Sequence, residues 1–311
     1  MKQQHTVIAG AGIMGASLSQ VYAQAGWRVT LWNRSASGLE RAKNLITLNQ
    51  ESLIKSELLT PEKSAALLEN IAYTTDQEVM RDCDLILENI VEQMDEKQAF
   101  WEWASLLAPD DALLASNTSG LLITEMAKTV YRPERFMGQH WLNPPHLLPL
   151  CEIIRGEKTA DVYADRMYEL VKGLDKQPVI VQKDINGFII NRIQYAIVRE
   201  ALYLVEKGVA SFEDIDTVWK AGLGLRYAAV GLFGVADFNG VDSFNRVNKY
   251  MNACLSDRKD GHPILEKLAS EGRWGVKSGA GFYDYSGDKA DEAIRERDRL
   301  YIALAKVLYN L

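Results

Sequence analysis

Three glycines near the start of the chain restrict its fold more than any other feature. Gly10-Ala11-Gly12-Ile13-Met14-Gly15 fits the pattern G-x-G-x-x-G and lies between a predicted strand, 6–9, and a predicted helix, 16–25. One glycine of such a turn lets the chain bend tightly, one lets the backbone approach a pyrophosphate, and one lets helix and strand pack closely. The motif predicts a dinucleotide site, although a glycine-rich turn without a ligand has the same pattern. The residues predicted to contact the dinucleotide are Gly10, Gly12, Ile13, Met14 and Gly15.

The first half of the chain alternates short strand-like runs with longer helical patterns, which is typical of a parallel sheet covered by helices. The segment 37–70 is longer than a crossover needs and predicts a helical hairpin, whose second helix starts at Thr60-Pro61-Glu62. The predicted strands are 6–9, 28–32, 84–87, 112–115, 136–140, 150–154 and 178–182.

The character of the sequence changes near residues 184–187. From Phe188 the pattern is mostly helical, with an apolar-periodic stretch that reaches Lys207, and Ser211-Phe212-Glu213-Asp214 is typical of a helix cap. We therefore predict an α/β Rossmann-type doubly wound sheet over residues 1–185, followed by an all-α domain over residues 186–311.

The composition narrows the classes of partner. A net charge of -7 argues against nucleic acid or an anionic membrane surface. No segment approaches ~20 uninterrupted apolar residues, and we expect neither a membrane span nor a signal peptide. Cys83, Cys151 and Cys254 are far apart and odd in number, which indicates reduced thiols in a cytoplasmic protein and no metal or disulfide site.

The end of the second predicted strand bears on the cofactor. An NAD site usually has an acidic residue there to bind the ribose 2′-hydroxyl, but this chain has Trp32-Asn33-Arg34-Ser35. No carboxylate repels a 2′-phosphate, and Arg34 can pair with one. We therefore favour NADP over NAD. The alternative is that Arg34 is a solvated loop residue and Asn33 binds the ribose of NAD.

A polar run, Ser116-Asn117-Thr118-Ser119-Gly120, follows the strand predicted at 112–115. Residues beyond the carboxyl ends of parallel strands face the ligand crevice. The run can therefore position a nicotinamide or a substrate hydroxyl. It can also be a turn that caps a helix starting near Leu122, and Ser119 can serve both purposes.

A histidine and a glutamate on neighbouring predicted strands form the main catalytic candidate. His140 ends one strand, Glu152 lies in the next, and the proline-rich connection between them can reverse the chain and bring their side chains together. A carboxylate beside a histidine fixes the ring tautomer and stabilises its protonated form. Such a histidine can take a hydroxyl proton while a hydride leaves for the cofactor. A lone histidine among apolar residues is more often structural.

These segments together resemble the L-3-hydroxyacyl-CoA dehydrogenase family. The resemblance covers nearly the whole chain in the family's order and spacing, and continues through Asp214-Ile215-Asp216 and residues 275–285. The segments that carry it are the glycine motif, residues 116–120, His140 with Asn143-Pro144, Glu152, and Gly187-Phe188-Ile189-Ile190-Asn191-Arg192.

The resemblance implies roles for the matching residues in the active site. His140 would be the general acid and base, and Glu152 would orient it. Ser119 would contact the substrate oxygen, and Asn191 would help to bind and polarise it. From the residues alone, Asn191 can equally be an inward amide satisfied by backbone.

The resemblance also implies cofactor contacts and an assembly. Asn117, Glu92 and Lys97 would lie at the nicotinamide end of the cofactor, although Glu92 and Lys97 by themselves look like an ordinary charge pair at a helix start. The family implies a homodimer built largely through the helical domain.

We expect the substrate to be a small acyl compound, either a CoA thioester or a free hydroxy acid. Departures from the family's sequence bear on this choice. Residues 143–150 and 222–228 are closer to branches that act on free hydroxy acids, such as carnitine or gulonate dehydrogenases. Arg226 can bind a substrate carboxylate bidentately, or be an ordinary interface arginine. Asn143 and Arg226 are therefore the candidate substrate contacts.

Two other functions compete with a 3-hydroxyacyl dehydrogenase. A non-catalytic nucleotide-binding protein of the same fold would not need the set of His140, Glu152, Ser119 and Asn191. A dehydrogenase with a catalytic lysine is suggested by Asn33-Arg34-Ser35, but it does not explain the segments around His140 and Glu152.

Overall fold

The computed structural model describes residues 3–55 and 57–309. Its internal contacts divide the chain into two units, Met1–Asn191 and Arg192–Leu311. The strands are β1 His5–Ala9, β2 Arg28–Trp32, β3 Ile71–Thr74, β4 Leu85–Glu88, β5 Leu113–Ser116, β6 Phe136–Trp141, β7 Leu150–Arg155 and β8 Gln177–Val181. The helices are α1 Ile13–Gln24, α2 Ala36–Lys55, α3 Pro61–Glu69, α4 Met94–Leu107, α5 Ile123–Met126, α6 Asp161–Lys172, α7 Ile190–Glu206, α8 Phe212–Val218, α9 Leu225–Asn239, α10 Val241–Met251, α11 Pro263–Ser270 and α12 Lys289–Tyr309.

The eight strands form one sheet in the order β3-β2-β1-β4-β5-β6-β7-β8. Neighbouring strands are parallel except β6 and β7, which are antiparallel. A parallel crossover needs about a dozen residues or more, and the connection from β6 to β7 is shorter than that. The chain therefore reverses there, which places His140 directly opposite Glu152 in the ladder.

Apart from its edge strands β3 and β8, the sheet is buried on both faces. Successive residues of β1 belong to different apolar clusters, because side chains of a strand alternate between the two faces. Ile8 packs with Leu18 of α1, whereas Val7 and Ala9 pack with Phe100 and its neighbours on α4. This arrangement is the doubly wound fold that the sequence predicts, with its ligand edge at the carboxyl ends of β1, β4 and β5.

Every predicted strand is present, with each end within one residue of its prediction, and the helical hairpin is confirmed as α2 and α3. One feature differs: the edge strand β3 was not predicted, because it follows α3 directly and most of its residues are partly exposed. The pair β6 and β7 is antiparallel, since the short proline-rich connection reverses the chain as the sequence suggests.

The second unit is mostly helical over its described residues, with isolated bridges between Gly275 and Ala280 and between Ala280 and Asp284. Ser211 caps α8 as predicted: its hydroxyl accepts from the Asp214 N–H, and the Asp214 carboxylate accepts from Ser211 N–H in return. The helical run Phe212–Asn239 is long and apolar enough to cross a membrane by length and composition alone. The absence of a membrane partner therefore stays a prediction.

Candidate active site

The glycine turn after β1 has the close contacts that the motif requires. Gly10 has φ +109°, and a Cβ there would lie 2.6 Å from the carbonyl oxygen of Asn89. A Cβ on Gly15 would lie 1.8 Å from the carbonyl oxygen of Gly10. Any larger residue at Gly10 or Gly15 would therefore collide with the backbone, whether or not a ligand is bound.

The N-terminus of α1 is arranged for an anion. Its N-cap is Gly12, which provides no side-chain cap, and a Cβ on Gly12 would meet nothing within 4 Å. The space beside Gly12 is empty, and it adjoins the first N–H groups of α1, which include those of Ile13 and Met14. A side chain at position 12 would fill this space. A pyrophosphate fits this arrangement of bare donors and positive helix end.

Asn33, at the end of β2, is held against the glycine turn. Its Oδ1 accepts from the Ala11 N–H at 3.3 Å, and its Nδ2 donates to the Ser35 carbonyl at 3.0 Å. Arg34 beside it is 82% exposed and lies 4.0 Å from the Glu96 carboxylate. Its guanidinium is therefore accessible to an anionic ligand.

His140 and Glu152 form a buried pair across the β6–β7 ladder. His140 Nδ1 lies 2.8 Å from Glu152 Oε2, and the two residues are 3% and 2% exposed. The other carboxylate oxygen, Oε1, accepts the N–H groups of Ile189 and Ile190, each at 3.0 Å. The carboxylate is therefore fixed from both sides, and because it only accepts hydrogen bonds, Nδ1 of the His140 ring must be the donor.

The second ring nitrogen of His140 is left for a ligand. Among the residues that the structure describes, no hydrogen bond to Nε2 is found. The buried Phe188 ring packs edge-on against the imidazole, with ring centroids 5.4 Å apart. The ring is thus held by Glu152 and Phe188 while Nε2 keeps its donor and acceptor capacity.

Asn117 links two neighbouring strand ends. Its Oδ1 accepts from the Trp141 N–H at 2.9 Å, and its Nδ2 donates to Asn89 Oδ1 at 2.8 Å. The Asn89 side chain in turn fixes the orientation of the Asn117 amide. Asn117 therefore ties the end of β5 to the residue that follows His140.

Ser119 and Asn191 are brought together at the same edge. Asn191 Nδ2 donates to the Ser119 carbonyl at 2.7 Å, so the amide meets backbone, as one of the two interpretations expects. Ser119 is exposed, and Thr118 is buried. Ser119 does not cap the following helix, because the N-cap of α5 is Leu122 and no side chain caps it. The Thr118 hydroxyl accepts from the N–H groups of Gly120 and Leu121 in the turn before that helix.

Glu92 and Lys97 are not an ordinary surface pair. Lys97 is 1% exposed, and its Nζ lies 2.6 Å from Glu88 and 3.3 Å from Glu92. Glu88, which is fully buried, was missed by the sequence analysis. The available signal was a lone carboxylate at the end of the apolar strand Leu85–Glu88.

The two candidate substrate contacts lie in different units. Asn143 is exposed in the β6–β7 connection, and its bond to Pro144 is cis. Arg226 is exposed on α9 of the second unit.

A buried lysine anchors the connection that carries Asn143. Lys176 is 9% exposed, and its Nζ donates to the carbonyls of Pro145 at 2.8 Å and Leu148 at 3.3 Å. Burial lowers the pKa of Lys176 to about 8. An unfolded lysine has a pKa of about 10.4, so between these values the unfolded chain keeps a proton that the folded chain has released.

Stability conferred by Lys176 should therefore rise with pH. The unfolding free energy of the wild type relative to Lys176→Met should increase by about 2 kcal/mol between pH 7 and pH 10, because the unfolded state binds more protons in that window. Urea unfolding of both proteins at the two pH values measures this difference. A difference that stays constant would show that Lys176 is protonated throughout.

Comparisons with known proteins agree with this geometry. Residues 5–185 match the model of the 3-hydroxyacyl-CoA dehydrogenase NAD binding domain, and residues 187–285 match that of the C-terminal domain. The chain is 33% identical over 98% of both chains to 5-formyl-3-hydroxy-2-methylpyridine 4-carboxylate 5-dehydrogenase of Mesorhizobium japonicum. It is 33% identical to 3-hydroxybutyryl-CoA dehydrogenase of Clostridioides difficile, over 90% of this chain and 98% of that one.

A solved structure extends the likeness to three dimensions. It is a 5-formyl-3-hydroxy-2-methylpyridine 4-carboxylic acid 5-dehydrogenase, described as an NAD+ dependent dismutase. Its TM-score is 0.90 at 32% identity, and the match covers 98% of both chains.

Proposed function

The chain belongs to the 3-hydroxyacyl-CoA dehydrogenase family, and we propose that it transfers a hydride between NAD(P) and carbon 3 of a 3-hydroxyacyl or 3-oxoacyl compound. One observation carries this proposal: His140 has Nδ1 bound to a buried carboxylate and Nε2 left for a ligand. The nicotinamide, when bound, accepts or returns the hydride.

His140 supplies the proton chemistry. In the oxidation direction Nε2 takes the proton of the substrate hydroxyl while the hydride leaves carbon 3, and the C–O bond becomes a carbonyl. In the reduction direction the protonated ring returns that proton to the oxygen. A positioned acid–base group of this kind contributes about 10²- to 10⁴-fold to the rate.

Glu152 sets the tautomer of His140. Because its carboxylate only accepts hydrogen bonds, Nδ1 must carry a proton, and Nε2 of the neutral ring is the basic nitrogen. When His140 takes up the second proton, the nearby carboxylate stabilises the imidazolium. The N–H groups of Ile189 and Ile190 keep the carboxylate in place during both states.

Ser119 and Asn191 are proposed to hold the substrate oxygen. The Ser119 hydroxyl lies on an exposed turn, and the hydrogen bond from Asn191 to its carbonyl joins the two residues. Asn191 directly follows Ile190, whose N–H binds Glu152. The oxygen-binding groups and the acid–base pair are thus parts of one hydrogen-bonded arrangement. Asn143 and Arg226 stay proposed substrate contacts.

The direct test is cofactor oxidation by acetoacetyl-CoA. Purified protein is mixed with NADPH or NADH, and the absorbance of the reduced nicotinamide is followed after the thioester is added. We expect oxidation that depends on the thioester. Binding of dinucleotide without oxidation by any 3-oxoacyl compound, thioester or free acid, would contradict the proposal.

A free carboxylic acid is the second candidate substrate, and α12 favours it. The family's C-terminal model ends at residue 285, before α12 begins at Lys289. The match to the Mesorhizobium relative covers 98% of the chain and therefore includes most of α12. That relative is named for a pyridine carboxylate, which has no CoA. Acetoacetate and 5-formyl-3-hydroxy-2-methylpyridine 4-carboxylate should be tested beside acetoacetyl-CoA, and faster turnover of either acid assigns this second class.

We propose NADP as the preferred cofactor. Asn33 leaves the end of β2 without a carboxylate, and the exposed Arg34 can pair with a 2′-phosphate at the start of α2. The solved relative described as NAD+ dependent represents the opposite outcome.

A carboxylate in place of the Asn33 amide should act against the preference for NADP. The wild type is expected to bind NADPH more tightly than NADH, and Asn33→Asp should weaken NADPH binding by about tenfold or more, because the new carboxylate repels the phosphate. Fluorescence titration of both cofactors gives the dissociation constants. Arg41→Gln, a charge change at an exposed position of α2, is the control and should change neither. Tighter NADH binding by the wild type would refute the assignment.

We also propose that the chain forms a homodimer through its helical unit. Phe233 and Phe238 of α9 are each 82% exposed, and Tyr250 of α10 is 59% exposed. Several large, exposed apolar side chains on neighbouring helices are typical of a surface that binds another protein chain. Sedimentation equilibrium should give a mass near twice the 34.9 kDa of one chain.

A further inference from the structure

A buried ion pair lies beneath the candidate active site. Glu88, the last residue of β4, is 0% exposed, and Lys97 of α4 is 1% exposed, with Nζ and Oε1 2.6 Å apart. Burial raises the pKa of Glu88, and the Lys97 ammonium opposes that rise. Replacing such a pair by apolar residues is often neutral or favourable for stability. Stability alone therefore does not account for these residue types.

Both oxygens of the Glu88 carboxylate accept hydrogen bonds. Beyond Lys97, its Oε1 accepts from the Ile90 N–H at 2.7 Å, and its Oε2 accepts from the Ser116 hydroxyl at 2.6 Å. Three donors from three segments thus fix one carboxylate at the end of β4. Because the Glu88 carboxylate is fixed in this way, it can in turn fix the position of the Lys97 ammonium.

Lys97 also pairs with a second carboxylate, that of Glu92. Its Nζ also lies 3.3 Å from Oε2 of Glu92, whose side chain is 46% exposed. The other oxygen of Glu92, Oε1, accepts from the Thr118 hydroxyl at 2.6 Å and from the Ser119 N–H at 2.9 Å. A single lysine therefore joins a buried carboxylate to the one that holds the turn of Ser119.

We propose that Glu88 is a positioning residue for hydride transfer, which fixes Lys97 so that Glu92 holds the Ser119 turn in place. This inference rests on the proposed function, in which Ser119 and Asn191 hold the substrate oxygen. The route is Glu88 to Lys97, Lys97 to Glu92, and Glu92 to the Ser119 N–H, while the Ser119 carbonyl meets Asn191. A misplacement of about 1 Å at such a site can cost about 100-fold in rate.

The test is a double-mutant cycle with Glu88→Met, Lys97→Met and the double variant. Each single variant leaves one buried charge without its partner and should lose thermal stability, whereas the double variant should regain most of it. Because Glu88 acts through Lys97, each single variant should lower kcat by about 10- to 100-fold, and the double variant should be no slower than Lys97→Met. Glu102→Met, at an exposed position of α4, is the control and should keep the wild-type kcat.

A second readout does not depend on turnover. Hydrogen–deuterium exchange of the Ser119 N–H, followed in a peptide over residues 116–121, should be about tenfold faster in Lys97→Met and in the double variant. A refolded double variant with wild-type exchange and wild-type kcat would show that the pair is structural only. Losses in kcat that multiply would show that Glu88 does not act through Lys97. If the wild type itself shows no turnover, the proposed function fails, while the exchange rates still decide whether the pair positions Ser119.

Discussion

Replacing Glu152 by glutamine is expected to lower kcat by about 10³- to 10⁴-fold while the protein folds and binds dinucleotide. The glutamine keeps the shape of the side chain, and its oxygen can still accept the N–H groups of Ile189 and Ile190. Its NH₂ group then faces His140 Nδ1 and donates to it. The proton of the neutral ring moves to Nε2, which leaves no base toward the substrate.

The measurement for Glu152→Gln is kcat in both directions, with the dissociation constant of the dinucleotide and the thermal transition recorded on the same preparation. Glu157→Gln is a matched control, because Glu157 is exposed just beyond β7, and it should retain full activity. If Glu152→Gln kept kcat within about threefold of the wild type, the carboxylate would not set the tautomer of His140.

The second large effect is expected at Gly15. A Cβ there would lie 1.8 Å from the carbonyl oxygen of Gly10, and this backbone oxygen cannot move away without opening the turn. Gly15→Ala should therefore lower the unfolding free energy by about 3 kcal/mol and raise the dinucleotide dissociation constant at least about 100-fold.

Gly12→Ala separates the two effects. A Cβ at this position meets nothing within 4 Å, so the stability should change little, but the methyl group fills the space over the N-terminus of α1. Dinucleotide affinity should fall about as far as in Gly15→Ala. Urea unfolding and fluorescence titration give both quantities. Undiminished binding by Gly12→Ala would mean that the phosphates lie elsewhere.

Much of the fold follows from local pattern. The inner strands of the sheet are buried on both faces and appear as short apolar runs between turn residues, which is why their ends are predicted to within one residue. The edge strand Ile71–Thr74 has no such signal, since most of its side chains are partly exposed. The reversal at β7 follows from the short, proline-rich connection after His140, which is too short for a parallel crossover.

The acid–base pair of the candidate site was predictable, because it depends only on the residue types and on the order of the strands that carry them. A histidine and a carboxylate on successive strands with a short connection come close together when those strands pair, and the observed register places His140 opposite Glu152. Glu88 was not predictable in this way. A carboxylate at a strand end usually faces water, and only the packing of α4 over β4 shows that it is buried against Lys97.

The central claim is that His140 transfers the substrate proton during hydride transfer, and a single-turnover reaction of His140→Ala tests it most directly. Enzyme loaded with one equivalent of reduced nicotinamide is mixed with saturating substrate, the better of acetoacetyl-CoA and the free acids, and the loss of nicotinamide absorbance is timed. We predict a rate about 10²- to 10⁴-fold below that of the wild type, with an unchanged dissociation constant for the cofactor. Hydride transfer at the wild-type rate in His140→Ala would contradict the mechanism.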